Sequence, residues 1–140
     1  MFKNILVPTD FTEKSLKALD VALMIGSKDD AVNVTLFHVI ELIEGTDDED
    51  FTDFYERLEK RAQKKMNEMV TQYGKRRPDI NMKIVFGNRA REIVRYAHEN
   101  EIDLIILSSH KIEKLDPSQG WATISYRVGI LAHCPVMMVK

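Results

Sequence analysis

Short apolar runs alternate with segments of helical periodicity along the whole chain, and this alternation limits the fold more than any other feature. The apolar runs cover residues 2–7, 32–40, 82–87, 103–107 and 136–139. The helical segments cover 12–27, 50–74, a stretch that Asn88 begins, and 120–132. Strands that alternate with helices in this way pair in parallel through right-handed crossovers. The chain is therefore predicted to be α/β: a single-domain, open, doubly wound parallel five-stranded sheet with helices on both faces, in the Rossmann-like order βαβαβαβαβ.

Three segments carry more specific expectations. The run 103–107 is the most apolar and predicts a central strand, whereas the partial alternation of 82–87 suits a sheet edge. Residues 41–50 are strongly acidic and predict a mobile loop. In the long helix of 50–74, acidic residues crowd the first turns and basic residues the remainder, as the helix dipole favours. A solvated outer face is favoured there over a partner-binding patch.

Length and charge exclude several classes of protein. The 140 residues suffice for one domain, 1–140, and 20 Lys and Arg against 22 Asp and Glu leave a net charge of -2. No global field draws such a chain toward nucleic acid or anionic lipid, and no run reaches the roughly 18 apolar residues of a membrane helix. The single cysteine, Cys134, cannot form an internal disulfide, and no secretory signal is recognised. We therefore expect a cytoplasmic protein that binds neither nucleic acid nor membrane.

A candidate site follows from the predicted sheet. In an open parallel sheet, ligands bind outside the carboxyl ends of the strands, where the strand order reverses. Pro8, Thr9 and Asp10 follow the first strand. The Asp10 carboxylate can accept hydrogen bonds from an exocyclic amine or a ribose hydroxyl, or it can cap the first helix through the amides of Thr12 or Glu13. The two roles do not exclude one another.

The segment after the fourth strand is the natural position for a phosphate. Ser108, Ser109 and Lys111 can donate hydrogen bonds to it, with Thr123 near the start of the last helix. A phosphate cradle uses glycines so that backbone amides approach the anion closely, and glycines are scarce here. The side chains alone are a weak signal of phosphate binding.

The sequence offers no pattern typical of a catalytic or metal site. His110 stands beside Ser109, but no Gly-x-Ser-x-Gly elbow surrounds either residue, and adjacent residues do not form a triad. His38, His98 and His133 have no metal-ligand spacing and are interpreted as structural. We predict no catalytic residue and no bound metal.

Several motifs, taken in order, resemble the universal stress protein family over essentially the whole chain. They are the opening 3–11, Phe37-His38-Val39-Ile40-Glu41, Gly87-Asn88-Arg89-Ala90, Ser109-His110 and the closing Cys134-Pro135-Val136-Met137-Met138-Val139-Lys140. The resemblance implies the α/β fold, a cytoplasmic location and a homodimer formed through the last strand. Such pairing would also cover an apolar sheet edge. The dimer interface is then expected to comprise Pro135, Val136, Met137, Met138 and Val139.

The resemblance also implies a nucleotide site. In family members that bind ATP or AMP, the aspartate after strand one meets the adenine and a valine of strand two lines its pocket. A loop of the form Gly-x-x-Gly, nine residues, Gly-Ser/Thr after strand four holds the ribose and phosphates. Asp10 and Val39 match the first two positions, and Leu107 leads into the loop.

The loop itself departs from that pattern. Ser108 and Lys111 stand at the first two glycine positions, and Ala122-Thr123 replaces the closing pair. Side chains at these positions remove the conformational freedom and close backbone approach that phosphate wrapping uses. In this loop the chain is similar to the branch of the family that lacks the glycines and does not bind ATP.

Two functions follow from the resemblance. The first is a non-enzymatic stress-response protein, a homodimer that acts through an unknown protein partner and keeps a degenerate nucleotide crevice. The alternative is an adenine-nucleotide sensor, for ATP or AMP, whose phosphate loop is rebuilt from Ser108, Ser109, Lys111 and Thr123, with slow ATPase activity as a weaker version. No cofactor is assigned firmly, and ATP and AMP are the candidate ligands. A flavin or electron-transfer module has no cofactor-specific motif here.

Overall fold

The computed structural model describes residues 2–26, 31–43, 51–73, 79–108 and 123–140. Within these ranges strands and helices alternate from the first element to the last. The strands are β1 (Asn4–Pro8), β2 (Asn33–Ile40), β3 (Asn81–Phe86), β4 (Leu104–Ser108) and β5 (Val136–Val139). The helices are α1 (Glu13–Gly26), α2 (Thr52–Tyr73), α3 (Arg89–Glu99) and α4 (Ile124–Leu131). The predicted βαβαβαβαβ order is confirmed.

All five strands lie in one parallel sheet with the order β3-β2-β1-β4-β5. The chain winds outward from β1 to β3 and then returns to place β4 beside β1, so the strand order reverses between β1 and β4. The run 82–87 forms an edge strand, as predicted. The middle position, however, belongs to β1 and not to the more apolar β4. Both strands are buried on both faces, so apolar composition reports coverage by helices and not position in the sheet.

Helices cover both faces of the sheet because successive side chains of a strand point to opposite sides. Ile5 and Val7 of β1 pack in one core cluster with residues of α1 and α2, including Met66. Leu6 lies in a second cluster with residues of α3 and α4, including Ile93. Burying each large apolar side chain stabilises the fold by about 1.5–3 kcal/mol. The two clusters hold β1 and β4 between two layers of helices, at the point where the strand order reverses.

Two element boundaries differ from the predicted ones for identifiable reasons. Asp103 precedes β4 instead of beginning it, because its carboxylate accepts hydrogen bonds from the amides of Lys3 and Asn4 at 2.8 and 3.1 Å. The structure describes the last helix from Ile124, the first residue of α4. Thr123 is its N-cap, and the Thr123 side chain accepts a hydrogen bond from the Tyr126 amide. Residues 120–122 of the predicted helix lie outside the described residues. The other boundaries lie within two residues of their predicted positions.

The acidic segment 41–50, which was predicted to be a mobile loop, is described only in part. Residues 41–43 are exposed, and residues 44–50 lie outside the described residues. Among the helices that the structure describes, none is both long enough and apolar enough to cross a bilayer.

Candidate functional site

The carboxyl end of β1 forms a tightly hydrogen-bonded turn. Pro8 is buried, and Thr9 is only 7% exposed. The Thr9 amide donates to the Phe37 carbonyl at 2.8 Å, which ties the turn to β2. The Thr9 hydroxyl donates to Ser15 Oγ at 2.8 Å and accepts from the Phe11 amide at 3.0 Å, which ties the turn to α1. Pro8 and Thr9 therefore shape the crevice from within the protein.

Asp10 lies on this turn with its side chain exposed. Its Oδ1 accepts hydrogen bonds from the Thr12 amide at 3.0 Å and from the Thr12 hydroxyl at 2.6 Å. Phe11, between them, has a φ of 67°, in the region that favours glycine. Partial burial acts to raise the pKa of Asp10, but the bonds from Thr12 and the charge of Arg89 outweigh it, so the pKa lies below its ordinary value. Asp10 is thus an ionised carboxylate at the carboxyl end of β1. The hydrogen bonds to Thr12 hold it in place, as predicted for a residue that caps α1.

His38 connects the ends of β1 and β2. Its Nδ1 lies 2.7 Å from the Thr9 carbonyl, which can only accept, so Nδ1 carries the proton and Nε2 of the neutral ring is an acceptor. The ring lies 4.3 Å from the Phe11 ring, centroid to centroid. Burial lowers the pKa of His38 below its ordinary value, and the positive charges of Arg89 and Lys65 lower it further. The histidine therefore presents a neutral imidazole near neutral pH.

Beside His38 a cleft of about 280 Å³ opens between the carboxyl ends of the strands and α2. Val39, which was predicted to line the nucleotide pocket, lines this cleft. Of the residues that the structure describes, three cations and one carboxylate line it, which gives this part of the lining a net positive charge. The lining residues are Phe11, His38, Val39, Ile40, Glu41, Leu58, Arg61, Ala62, Lys65 and Arg89.

The cations around the cleft have only weak partners among the described residues. Arg89 Nε lies 3.8 Å from Glu41 Oε1, and both side chains are more than a third exposed, at 39 and 54%. An exposed pair of this kind contributes about 0–1 kcal/mol. Lys65 Nζ lies 5.7 Å from the centroid of the Phe11 ring, within cation–π range. The ionised Asp10 also interacts with the charge of Arg89, so among the described residues these contacts compensate the positive charge of the cleft only in part.

A glycine turn places Arg89 at this edge of the sheet. The Gly87 amide donates to the Ile40 carbonyl at 3.0 Å, and Gly87 has a φ of 146°, which L side chains rarely adopt. Asn88 then caps α3, as predicted, by accepting from the Arg91 amide at 3.0 Å. Arg89, the first residue of α3, therefore stands beside the end of β2.

The end of β4 contains the remaining candidates. Leu107 is buried, and the Ser108 carbonyl accepts a hydrogen bond from Ser125 Oγ of α4 at 3.3 Å. Thr123 Oγ1 accepts from the Tyr126 amide at 3.3 Å, so this hydroxyl already caps α4. The predicted phosphate donors Ser109 and Lys111 lie outside the described residues.

Sequence reasoning missed most of the cleft. His38 was interpreted as structural, and Arg61 and Lys65 were assigned to a solvated helix face. The sequence did contain a relevant pattern. Arg61 and Lys65 come three and seven residues after Leu58, so they lie next to the buried apolar face of α2. A cation at such a flank can reach over the sheet edge instead of pointing into solvent.

The predictions about metal ions, Cys134 and the dimer interface concern parts of the molecule outside the cleft. Within the described residues, no three His, Cys, Asp or Glu side chains are grouped so as to hold a metal ion. Burial raises the pKa of the half-buried Cys134 thiol, and the charge of Asp103 raises this pKa further.

The residues predicted to form the dimer interface lie on or beside β5, which is an edge strand of the sheet. Met137 and Met138 of this strand are 38 and 50% exposed.

A curated relative matches the chain along its entire length. The universal stress protein MJ0531 of Methanocaldococcus jannaschii is 30% identical over 146 residues, covering 100% of this chain and 83% of that protein. Among solved structures, that of protein MJ0577 superimposes with a TM-score of 0.82 at 29% identity, covering 100% of this chain and 96% of the other.

Two further solved structures contain adenine nucleotides. A universal stress protein in complex with cAMP has a TM-score of 0.69 at 18% identity and covers 99% of this chain and 97% of its own. The universal stress protein of Archaeoglobus fulgidus in complex with dAMP has a TM-score of 0.66 at 16% identity and covers 100 and 98%. At these identities the likeness concerns the fold. The family model of universal stress proteins matches residues 1–140, and with the relative from M. jannaschii it shows that this chain belongs to the universal stress protein family.

Proposed function

We propose that the chain is a non-enzymatic regulatory protein of the stress response, a cytoplasmic homodimer that pairs through β5 and acts through a protein partner. One observation supports the dimer above all: β5 is an apolar edge strand that exposes Met137 and Met138. Helix α4, which contacts β5, adds Ile130 and Leu131 at 61 and 54% exposure. An apolar, unpaired edge is a template for pairing with a second chain.

The backbone of β5 specifies which groups would pair. The Ile105 amide donates to the Pro135 carbonyl at 3.0 Å, so Pro135 directs its carbonyl toward β4. Backbone groups alternate in direction along a strand, so Met137 also faces β4, whereas Val136 and Met138 direct their amides outward. These two outward amides are the donors available to a second copy.

The test replaces one outward donor. Met138→Pro removes an amide that β4 does not use, and the side chain is already half exposed, so little core packing is lost. Light scattering should give about 32 kDa for the wild type, twice the chain mass of 16.2 kDa, and 16.2 kDa for the variant. The control Met138→Ala keeps the amide and should remain a dimer. A Met138→Pro protein with the wild-type mass would place the interface elsewhere.

A second candidate function is an adenine-nucleotide sensor. It is favoured by the ionised Asp10 carboxylate at the end of β1 and by Val39 in the wall of the cleft, together with the cAMP and dAMP complexes of the two family members. In this function Asp10 accepts from the exocyclic amine of adenine, and phosphate is held after β4 by Ser108, Ser109, Lys111 and Thr123.

The sensor function predicts calorimetric binding of AMP or ATP to protein freed of bound small molecules. Asp10→Ala should abolish that binding, whereas Glu99→Ala, an exposed carboxylate at the end of α3, should leave it unchanged. Equal affinity in the Asp10→Ala protein would remove Asp10 from the site. In either function ATP should be recovered intact after incubation.

A further inference from the structure

We propose that the cleft between the end of β2 and α2 is an anion subsite, in which Arg61, Lys65 and Arg89 bind the phosphoryl group of a small ligand. The inference goes beyond both proposed functions, because the dimer needs no ligand and the sensor places phosphate after β4. The two positions lie on different elements of the sheet edge, so they can be distinguished by substitution.

The convergence of the cations carries the inference. Arg61 and Lys65 come from α2 and Arg89 comes from α3, yet all three line one concave surface of about 280 Å³. Like charges around a single concavity repel one another and raise the local concentration of anions. Among the described residues of the lining, Glu41 is the only carboxylate, and its 3.8 Å contact with Arg89 is exposed. Asp10, whose pKa the charge of Arg89 lowers, lies outside the lining. A phosphoryl group would supply the missing negative charge and accept several charge-assisted hydrogen bonds at once.

The uncharged lining limits the remainder of the ligand. The Phe11 ring, Val39 and Leu58 offer apolar contact, and the neutral His38 offers Nε2 as an acceptor for a hydroxyl or amine. The volume lies just below the usual range of small-molecule pockets, about 300–1,000 Å³. The ligand class that fits is therefore a small phosphate ester with one flat or apolar portion, and not an extended polyanion.

The test measures calorimetric binding of pyrophosphate, AMP and adenosine at low salt. We expect pyrophosphate and AMP to bind and adenosine to bind more weakly. Arg61→Gln and Lys65→Gln should each weaken pyrophosphate and AMP about tenfold, the loss expected for one charge-assisted hydrogen bond. The matched control is Lys64→Gln, because Lys64 neighbours Lys65 but lies on the outer side of α2 beside Gln63.

Each contrary outcome overturns the inference. Absence of binding by both pyrophosphate and AMP would show that the cleft is not an anion site. If Lys64→Gln lost as much affinity for pyrophosphate and AMP as Arg61→Gln and Lys65→Gln, the anions would be attracted by the overall charge of the protein and not bound at this cleft. If AMP binding survived Arg61→Gln and Lys65→Gln but was lost in Thr123→Ala, the phosphate would lie after β4, which would support the sensor and exclude this subsite. Light scattering of the same variants reports the dimer separately.

Discussion

Replacing Gly87 by alanine should destabilise the protein measurably, because this residue forms the turn that brings α3 to the cleft. Gly87 has a φ of 146°, and a residue with a Cβ held in such a conformation costs of order 1–3 kcal/mol. A Cβ there would also lie 2.9 Å from Glu92 Cγ, closer than real contacts allow. Moving Glu92 aside disturbs its 3.2 Å ion pair with Arg95, which contributes about 0.3–0.5 kcal/mol.

The two terms together predict that Gly87→Ala lowers the free energy of unfolding by about 1.3–3.5 kcal/mol. Urea unfolding followed by circular dichroism measures this difference. The double variant Gly87→Ala with Glu92→Ala removes the contact and retains the backbone strain, so it should remain about 1–3 kcal/mol less stable than Glu92→Ala alone.

Gly129 supplies the matched control. It lies within α4, and a Cβ at that position would meet no atom within 4 Å. Gly129→Ala should therefore stabilise the protein by about 0.5–1 kcal/mol, since alanine loses less conformational entropy in a helix. The reasoning fails if Gly87→Ala is as stable as the wild type, or if both alanine variants are destabilised equally.

Two further predictions concern His38 and Asp103. The pKa of His38 is lower in the folded state than its ordinary value of 6.5, so the unfolded chain takes up a proton first and stability should decline as the pH falls below about 6.5. His38→Asn keeps a donor toward Thr9 but cannot titrate, so urea unfolding at pH 7.5 and 5.5 should show a smaller decline; an equal decline would contradict the assignment. Asp103→Ala removes the acceptor of two amides and should cost about 1–2 kcal/mol in urea, whereas the exposed Glu99→Ala should change stability by less than about 0.5 kcal/mol. A cost for Asp103→Ala no larger than that of its control would mean that these bonds do not hold β1 to β4.

Local sequence patterns predicted the fold because each strand and helix carries its own periodicity. The exception is the position of the strand 103–107 within the sheet. Its apolar side chains indicate only that both of its faces are buried, whereas the crossover connections decide which strands lie beside it. Asp10 could be placed because it lies in the turn after the first strand, whereas Val39 was placed by the family resemblance. Arg61 and Lys65 could not, because whether a helix cation faces solvent or a cleft depends on how α2 packs across the sheet.

The pairing of two chains through β5 is tested most directly by amide hydrogen exchange of the wild-type protein. In the proposed dimer, the outward amides of Val136 and Met138 are hydrogen-bonded to the second copy, while Met137 is bonded to β4. We predict that all three amides are protected at high protein concentration, and that only Val136 and Met138 lose protection on dilution. Rapid exchange of Val136 and Met138 at every concentration, with Met137 protected, would contradict a dimer formed through this strand.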